Sequence, residues 1–191
     1  MKIIQLNNNN LLSCSDDKSI KIWNENNKIF KEKFNLIVDD YVRNIIEIKN
    51  NIIIYNVSYN KLEIYDLNLN KKIKFFNNLS LSTKIGSQFI LINDKLIIGG
   101  DKKIYVINNN FEIENSFEFK SNIVSVLYLF NDFYVVGDAE GIISIFELFK
   151  IKPILIKKNA HEGSIRSLAY LNYSIISAGM MMLLKNGKIK F

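Results

Sequence analysis

Hydrophobic and polar positions alternate with a period of two along much of the chain. Clear examples are residues 19–23 (Ser-Ile-Lys-Ile-Trp), 61–65 (Lys-Leu-Glu-Ile-Tyr) and 144–148 (Ser-Ile-Phe-Glu-Leu). β-branched and aromatic residues fill these segments, and clusters of Asn, Asp, Gly, Lys or Ser separate them, as is typical of strands joined by tight turns. No window of a dozen residues has the apolar spacing of an amphipathic helix. The pattern predicts an all-β protein of many short antiparallel strands.

The alternating segments recur at a regular interval. Ile20, Leu62 and Ile104 are 42 residues apart, and Ile143 and Ile189 continue the series. A repeat of about 40–45 residues with four strands is typical of a β-propeller blade, whose two faces are buried only when neighbouring units stack. We therefore expect one domain over residues 1–191, with blades at 1–36, 37–80, 81–120 and 121–158 and an incomplete fifth at 159–191.

Turn signals divide each blade into strands. The predicted strands are 2–6, 11–15, 19–24 and 28–34; then 42–48, 52–57, 61–67 and 71–77; then 87–92, 95–99, 103–108 and 112–119; then 123–130, 133–137, 142–148 and 153–157. The fifth unit is predicted to have strands at 165–171, 174–179 and around 187–191, and no fourth strand.

The segment Leu12–Asn24 resembles the core of a WD40 repeat. In that family a strand ending Ser-x-Ser leads through an Asp-containing turn to a strand that ends in Trp-Asp; this chain has Asn24 in place of the last Asp. Residues 161–170 are similar to the opening of the same repeat, a His-bearing loop before the innermost strand, and Tyr65-Asp66 is similar to its Trp-Asp end. The resemblance extends over the whole chain by spacing. It implies a WD40-type β-propeller of four-stranded antiparallel blades, partial or open, with about 4.5 blades.

The same resemblance implies a structural role for several polar residues. WD40 blades contain a hydrogen-bonded network of a loop His, a second-strand Ser or Thr, a turn Asp and a third-strand Trp, and such buried polar groups satisfy one another. Ser13, Asp17 and Trp23 match three of these places in the first blade, and His161 and Ser177 match two in the last. No blade matches all four.

Three arrangements are open for a chain of this blade number. It is a piece of a larger propeller, a strained ring of four or five blades, or an open arc completed by another chain. In the last case the open blade faces would be apolar patches that promote association.

The composition makes the chain basic, but it does not indicate nucleic-acid binding by itself. The formal net charge is +6, but only two of the 25 basic residues are arginine, the residue that best matches phosphates and base edges. We attribute the 33 isoleucines and 27 asparagines to an AT-rich coding sequence. The lysines concentrate on predicted outer strands, where lysine protects an edge from pairing with other chains. The alternative is a lysine-rich rim that contacts RNA in an RNA-containing assembly.

Several function classes are disfavoured by the sequence. One Cys and one His permit neither a disulfide framework nor a zinc site. We expect no catalytic residues, no cofactor and no metal, because the repeat context gives each Ser, His and Asp a structural explanation. No apolar segment approaches the roughly 20 residues of a membrane-spanning helix. No signal peptide is visible at the start, so we expect an intracellular protein, in the cytoplasm or the nucleus.

One constellation is a candidate binding site. Aligning the blades on the start of the innermost strand places Lys2, Arg43, Gln88, Val124 and Arg166 together, with a one-residue ambiguity in the second blade. The two arginines are the only ones in the chain. One interpretation is that both arginines are solvated loop residues without a binding role. The sharper hypothesis is a basic spot that binds an acidic or phosphorylated peptide through charge-assisted hydrogen bonds. The sequence thus predicts a non-catalytic scaffold for protein–protein interactions.

Overall fold

The computed structural model of the chain describes residues 2–49, 51–57, 61–77, 79, 81, 88–150 and 152–179, and the backbone of residues 189 and 190. Within these residues the regular secondary structure is all β-strand, which confirms the predicted class. The strands are β1 (Lys2–Gln5), β2 (Leu11–Cys14), β3 (Ser19–Asn26), β4 (Ile29–Ile37), β5 (Ile45–Lys49), β6 (Ile52–Val57), β7 (Lys61–Asp66), β8 (Lys71–Phe76), β9 (Gln88–Ile92), β10 (Lys95–Gly99), β11 (Lys103–Ile107), β12 (Ile113–Glu118), β13 (Ile123–Phe130), β14 (Phe133–Asp138), β15 (Ile143–Glu147), β16 (Leu155–Lys157), β17 (Ile165–Leu171), β18 (Ser174–Gly179) and β19 (Ile189–Lys190).

Strands that are adjacent in the sequence pair antiparallel to form successive sheets. Sheet 1 contains β1–β4, sheet 2 contains β5–β8, sheet 3 contains β9–β12 and sheet 4 contains β13–β16, each in chain order. The described strands β17–β19 form sheet 5. The several four-stranded antiparallel sheets predicted from the sequence are therefore confirmed. The rest of the strand predicted around 187–191 lies outside the described residues.

Two strands begin two or three residues later than the sequence pattern predicts, for local reasons. β5 begins at Ile45 rather than residue 42, because the backbone N–H of Asn44 donates to the side-chain Oδ1 of Asn56 instead of to a neighbouring strand. β16 begins at Leu155 rather than residue 153, where Pro153 has no N–H to give to a ladder.

The tight turns depend on asparagine. Fourteen non-glycine residues of the described chain have positive φ, and eight of them are asparagines, including Asn9, Asn51, Asn93, Asn131 and Asn172 in the turns between the first two strands of the five sheets. Asparagine tolerates the left-handed conformation better than other residues with a Cβ. The asparagine enrichment therefore supplies turns in a chain that has only eight glycines.

The chain divides into two compact units, residues 1–87 with sheets 1 and 2 and residues 88–191 with sheets 3, 4 and 5. In each unit, consecutive sheets pack face to face through apolar side chains. Leu12, Ile20 and Ile22 of sheet 1 share a buried cluster with Tyr55 and Tyr65 of sheet 2. Similar clusters join sheet 3 to sheet 4 and sheet 4 to sheet 5.

Each sheet therefore has two distinguishable faces. Within a unit, we call the face of a sheet towards the preceding sheet of that unit its leading face and the face towards the following sheet its trailing face; where a sheet has one neighbour in its unit, the other face takes the remaining name. Strand alternation and register assign the side chains: in sheet 1, Ile3 is opposite Ser13 and Ser13 is opposite Lys21, so these three lie on the leading face. Leu12 and Ile22 lie on the trailing face, against sheet 2.

Candidate functional site

The polar end of the first unit is formed by the β2–β3 turn and the segment that connects sheet 1 to sheet 2. The backbone N–H of Val38 donates to the Lys18 carbonyl at 3.0 Å, and the N–H of Val42 donates to the Ser15 carbonyl at 3.2 Å. The ammonium of Lys18 also donates to the carbonyl of Asp39 at 3.2 Å. These bonds fix the connecting segment across the turn.

Arg43 lies in this connecting segment and is partly exposed. Its Nε is 3.4 Å from Oδ1 of Asp16, and its guanidinium carbon is 5.9 Å from the centre of the Tyr41 ring. The Asp39 carboxylate is largely exposed and lies 3.6 Å from the ammonium of Lys61. We call Asp16, Lys18, Asp39, Tyr41 and Arg43 the loop surface. It presents an arginine already oriented by a carboxylate and an aromatic ring.

Lys2 is positioned beside this surface rather than within it. Its Nζ donates to Oδ1 of Asn44 at 2.6 Å, so the first strand of sheet 1 is tied to the residue that follows Arg43. Burial lowers the pKa of the Lys2 ammonium, with an opposing contribution from neighbouring Cys14. Lys2 therefore acts as a link between the two sheets of this unit.

The strand register refines the alignment of the candidate binding residues. Lys2 pairs with Cys14 and Gln88 with Gly99, the last positions of their second strands. Arg166 instead occupies a bulge between Ile165, which pairs with Gly179, and Ser167, which pairs with Ala178. The remaining two residues behave like Arg166: Val124 is in the corresponding bulge of β13, and Arg43 precedes Asn44, which bonds to Asn56. Arg43, Val124 and Arg166 thus share a register position, and Lys2 and Gln88 are offset by one.

Two pairs of the residues assigned to the WD40-like network are in direct contact. The indole Nε1 of Trp23 donates to Oγ of Ser13 at 2.9 Å, and Nε2 of His161 is 2.8 Å from Oγ of Ser177. Ser13 and Ser177 hold the same register position in the second strands of sheets 1 and 5. Asp17, which lies in the described part of the chain, makes no hydrogen bond to Ser13 or Trp23. Its carboxylate instead accepts from the backbone N–H and the hydroxyl of Ser19 within the turn. The hydrogen bond from the Ser19 hydroxyl is the largest of the effects that lower the pKa of Asp17 below its ordinary value.

A buried charged network in sheet 2 was not predicted from the sequence. Glu63 is 2 % exposed, and its Oε1 accepts from Lys61 at 2.6 Å and from Lys72 at 2.5 Å. Its Oε2 accepts from the hydroxyl of Tyr55 at 2.9 Å. Burial alone would raise the pKa of the Glu63 carboxyl, but the bonds from Lys61, Lys72 and Tyr55 outweigh burial and hold that pKa below its ordinary value.

The register shows that this network has a counterpart of opposite polarity. Glu63 holds the position in sheet 2 that Lys21 holds in sheet 1, and Lys72 holds the position of Glu32. Lys21 and Glu32 form an ion pair at 2.8 Å on the leading face of sheet 1. The signal that could have located the network is thus a charged third-strand residue at a repeated position.

The opposite end of the first unit contains a polar pocket. Glu47 accepts from the backbone N–H of Asn7 at 2.7 Å and from that of Asn51 at 2.9 Å, so its carboxylate bridges turns of sheets 1 and 2. With Asn8 these residues line a cavity of about 140 Å³. Because both Glu47 oxygens are engaged by backbone groups, the pocket has a structural explanation.

The described residues hold no grouping typical of a metal site or of a membrane-spanning helix. Among the residues that the structure describes, no three His, Cys, Asp or Glu side chains are grouped to hold a metal ion. In the same residues, no helix has the length and apolar character needed to cross a membrane. The outer-strand lysines are partly engaged, since Lys72 binds Glu63 and the ammonium of Lys74 lies 5.5 Å from the centre of the Phe76 ring.

No protein family matches the chain, and no curated protein gives a significant match.

Proposed function

We propose that the chain is a WD40-type β-propeller scaffold, a partial or open ring of about 4.5 blades that binds protein partners and has no catalytic activity of its own. The observation that carries the proposal is the repetition of sheets made from four consecutive strands, with faces stacked at equivalent register positions. The Ser13–Trp23 and His161–Ser177 bonds, at equivalent serines of two sheets, support the same interpretation.

The proposed partner is a phosphorylated peptide that binds at Arg43, with Arg166 at the same register position of sheet 5. Asp16 already pairs with Arg43, so an incoming anion has to compete with that carboxylate. A phosphate monoester carries about −1.5 to −2 charges at neutral pH and competes better than a single peptide carboxylate. The Tyr41 ring restricts the guanidinium and reduces the entropy lost on binding.

Fluorescence anisotropy with a labelled library of phosphoserine and phosphothreonine peptides tests this proposal. Each peptide is matched by an unphosphorylated version and by one with Glu at the modified position. We expect the phosphorylated member to bind tightest. Because hydrogen bonds to charged groups contribute about 1.5–3 kcal/mol, a variant combining Arg43→Ala and Arg166→Ala should bind about tenfold or more weakly.

The matched control is a variant combining Lys31→Ala and Lys33→Ala, which removes two positive charges from exposed positions of β4. It should bind the selected peptides as tightly as the wild type. Equal affinity of the arginine variant and the wild type would refute binding at these arginines, and equal weakening by both variants would show that only net charge matters.

A further inference from the structure

The loop surface carries negative as well as positive charge around its arginine. The side chain of Asp16 is 58 % exposed and lies 3.4 Å from Nε of Arg43, and that of Asp39 is 82 % exposed. Two further carboxylates of the same turn and connecting segment, Asp17 and Asp40, each accept a backbone N–H bond. An anion that reaches Arg43 therefore arrives among carboxylates, and negative charge alone does not make a partner complementary to this surface.

Binding of a phosphate at Arg43 changes the surroundings of the Asp16 carboxylate. Asp16 lies within hydrogen-bond distance of the single N–H on Nε of Arg43. A phosphate that binds through Nε displaces Asp16, and a phosphate that binds through the two terminal nitrogens shares the guanidinium with it. In both geometries a carboxylate and a phosphate dianion come close together and repel each other. A positive charge brought by the partner removes this penalty.

Asp39 is the carboxylate of the loop surface best placed to receive such a positive charge. The ammonium of Lys61 lies 3.6 Å from the Asp39 carboxylate but only 2.6 Å from the buried carboxylate of Glu63. Lys18 bonds to the main-chain carbonyl of Asp39 rather than to its carboxylate. Because the shorter contact holds Lys61 at Glu63, the exposed Asp39 side chain can accept a cation from outside.

We propose that the loop surface selects a phosphorylated residue flanked by lysine or arginine, so that the phosphate binds Arg43 while the basic side chains pair with Asp16 and Asp39. This inference rests on the proposed function, which supplies the phosphopeptide, and it adds the class of sequence around the phosphate. A phosphate in an acidic sequence meets the same carboxylates without compensation, so the surface discriminates against it.

Fluorescence anisotropy with three synthetic peptides tests this selection. Each contains one phosphoserine in the same Ala-Gly background, and the two residues that flank it are both Lys, both Ala or both Glu. We expect the Lys-flanked peptide to bind roughly fivefold tighter than the Ala-flanked one, the upper range for an exposed charge pair, and the Glu-flanked peptide to bind weakest. The net charge of the chain, +6, would by itself favour the Glu-flanked peptide, so overall attraction does not produce this order.

Two substitutions assign the selection to the carboxylates. Asp16→Asn should tighten binding of the Ala-flanked phosphopeptide, because a competing carboxylate is removed, and should reduce the preference for Lys. Asp39→Asn should weaken binding of the Lys-flanked peptide relative to the Ala-flanked one. Asp94→Asn is the matched control, since it removes the same charge from an exposed turn between β9 and β10. It should leave the order and ratios of the three affinities unchanged, and circular dichroism should show the same strand content in all variants.

Failure of the selection is distinguishable from failure of the proposed function. If no peptide shows phosphate-dependent binding, both are overturned. If phosphate-dependent binding is lost in Arg43→Ala but the three flanks bind equally, the selection alone is overturned. A preference for Lys that persists when Asp16→Asn and Asp39→Asn are combined also overturns it, because other residues then contact the lysines.

Discussion

Replacing the buried carboxylate of Glu63 tests how much the charged network of sheet 2 contributes to the free energy of unfolding. In Glu63→Gln the side chain keeps its shape and one oxygen that can accept from Tyr55, but it loses the charge that pairs with two lysines. Lys61 and Lys72 are 30 % and 39 % exposed, so both can turn towards water when the pair is lost. The cost should therefore lie below that of a buried charge left without any partner, which is about 3–5 kcal/mol.

We expect the substitution to cost about 2 kcal/mol, within the range of about 1.5–3 kcal/mol for a hydrogen bond to a charged group. That value corresponds to a roughly 30-fold change in the unfolding equilibrium, since about 1.4 kcal/mol is a factor of ten. Urea denaturation followed by circular dichroism at pH 7 measures it. Glu32→Gln is the control: it breaks the equivalent ion pair, whose side chains are 29 % and 40 % exposed, and its unfolding midpoint should match that of the wild type.

The pH dependence of the free energy of unfolding tests the same network in a second way. In the unfolded chain a glutamate titrates near pH 4, at about 4.3, whereas the folded pKa of Glu63 is held lower. A group with a lowered folded pKa contributes its full stability above the unfolded pKa and loses it as pH falls through the folded pKa. The difference between wild type and Glu63→Gln should thus shrink in acid. A difference that is absent at pH 7, or constant down to acid pH, would refute the assigned role of the network.

Three further predictions follow from other contacts. Ser13→Ala should cost about 1 kcal/mol by removing the acceptor for Trp23, and should change the fluorescence of this sole tryptophan; unchanged emission would contradict the bond. Gly141→Ala should cost about 1–3 kcal/mol, because Gly141 has φ of 79° and an added Cβ would meet the carbonyl of His161; thermal denaturation measures this cost, and an unchanged midpoint would show that the turn relaxes. The Cys14 thiol is buried, burial raises its pKa, and it should react with a disulfide reagent only after denaturation; rapid labelling of the native chain would contradict its placement.

The period-two pattern predicted the strands because each alternating segment does become a strand. The segment around Ile20 is β3, and that around Leu62 is β7, paired with the neighbours that the repeat spacing indicated. The contact between Ser13 and Trp23 was also anticipated, because the motif fixes two positions on adjacent strands of one sheet. The sequence pattern therefore indicates which strands pair as well as where they lie, because each sheet is built from consecutive strands.

The burial of Glu63 could not be predicted by the same reasoning. Alternation assigns a polar residue in a strand to the solvent face, and it is the stacking of a second sheet that buries this face. Whether Lys72 reaches the carboxylate beside Lys61 and Tyr55 depends on the β7–β8 bulge, which a sequence pattern does not show. The sequence alignment also could not show that a bulge before Ser167 puts Arg166 out of register with Lys2.

The asparagines were attributed to compositional bias, but the backbone shows that several of them occupy turn positions with positive φ. A turn between two strands needs a residue that tolerates positive φ, and Asn131 and Asn172 provide it where glycine is scarce. A sequence-based argument counts the residue type, whereas the conformational requirement belongs to the individual position.

The pairing of each sheet from consecutive strands has a consequence for how the chain is made. No described strand has to wait for a hydrogen-bonding partner from a distant part of the sequence, so little loop-closure entropy opposes pairing. During synthesis, a new sheet is completed after about every 40 residues. Within each unit, the apolar face of the preceding sheet has already formed when the new sheet packs against it. Folding can therefore keep pace with the ribosome, and the aggregation-prone interval for each newly made hairpin is short.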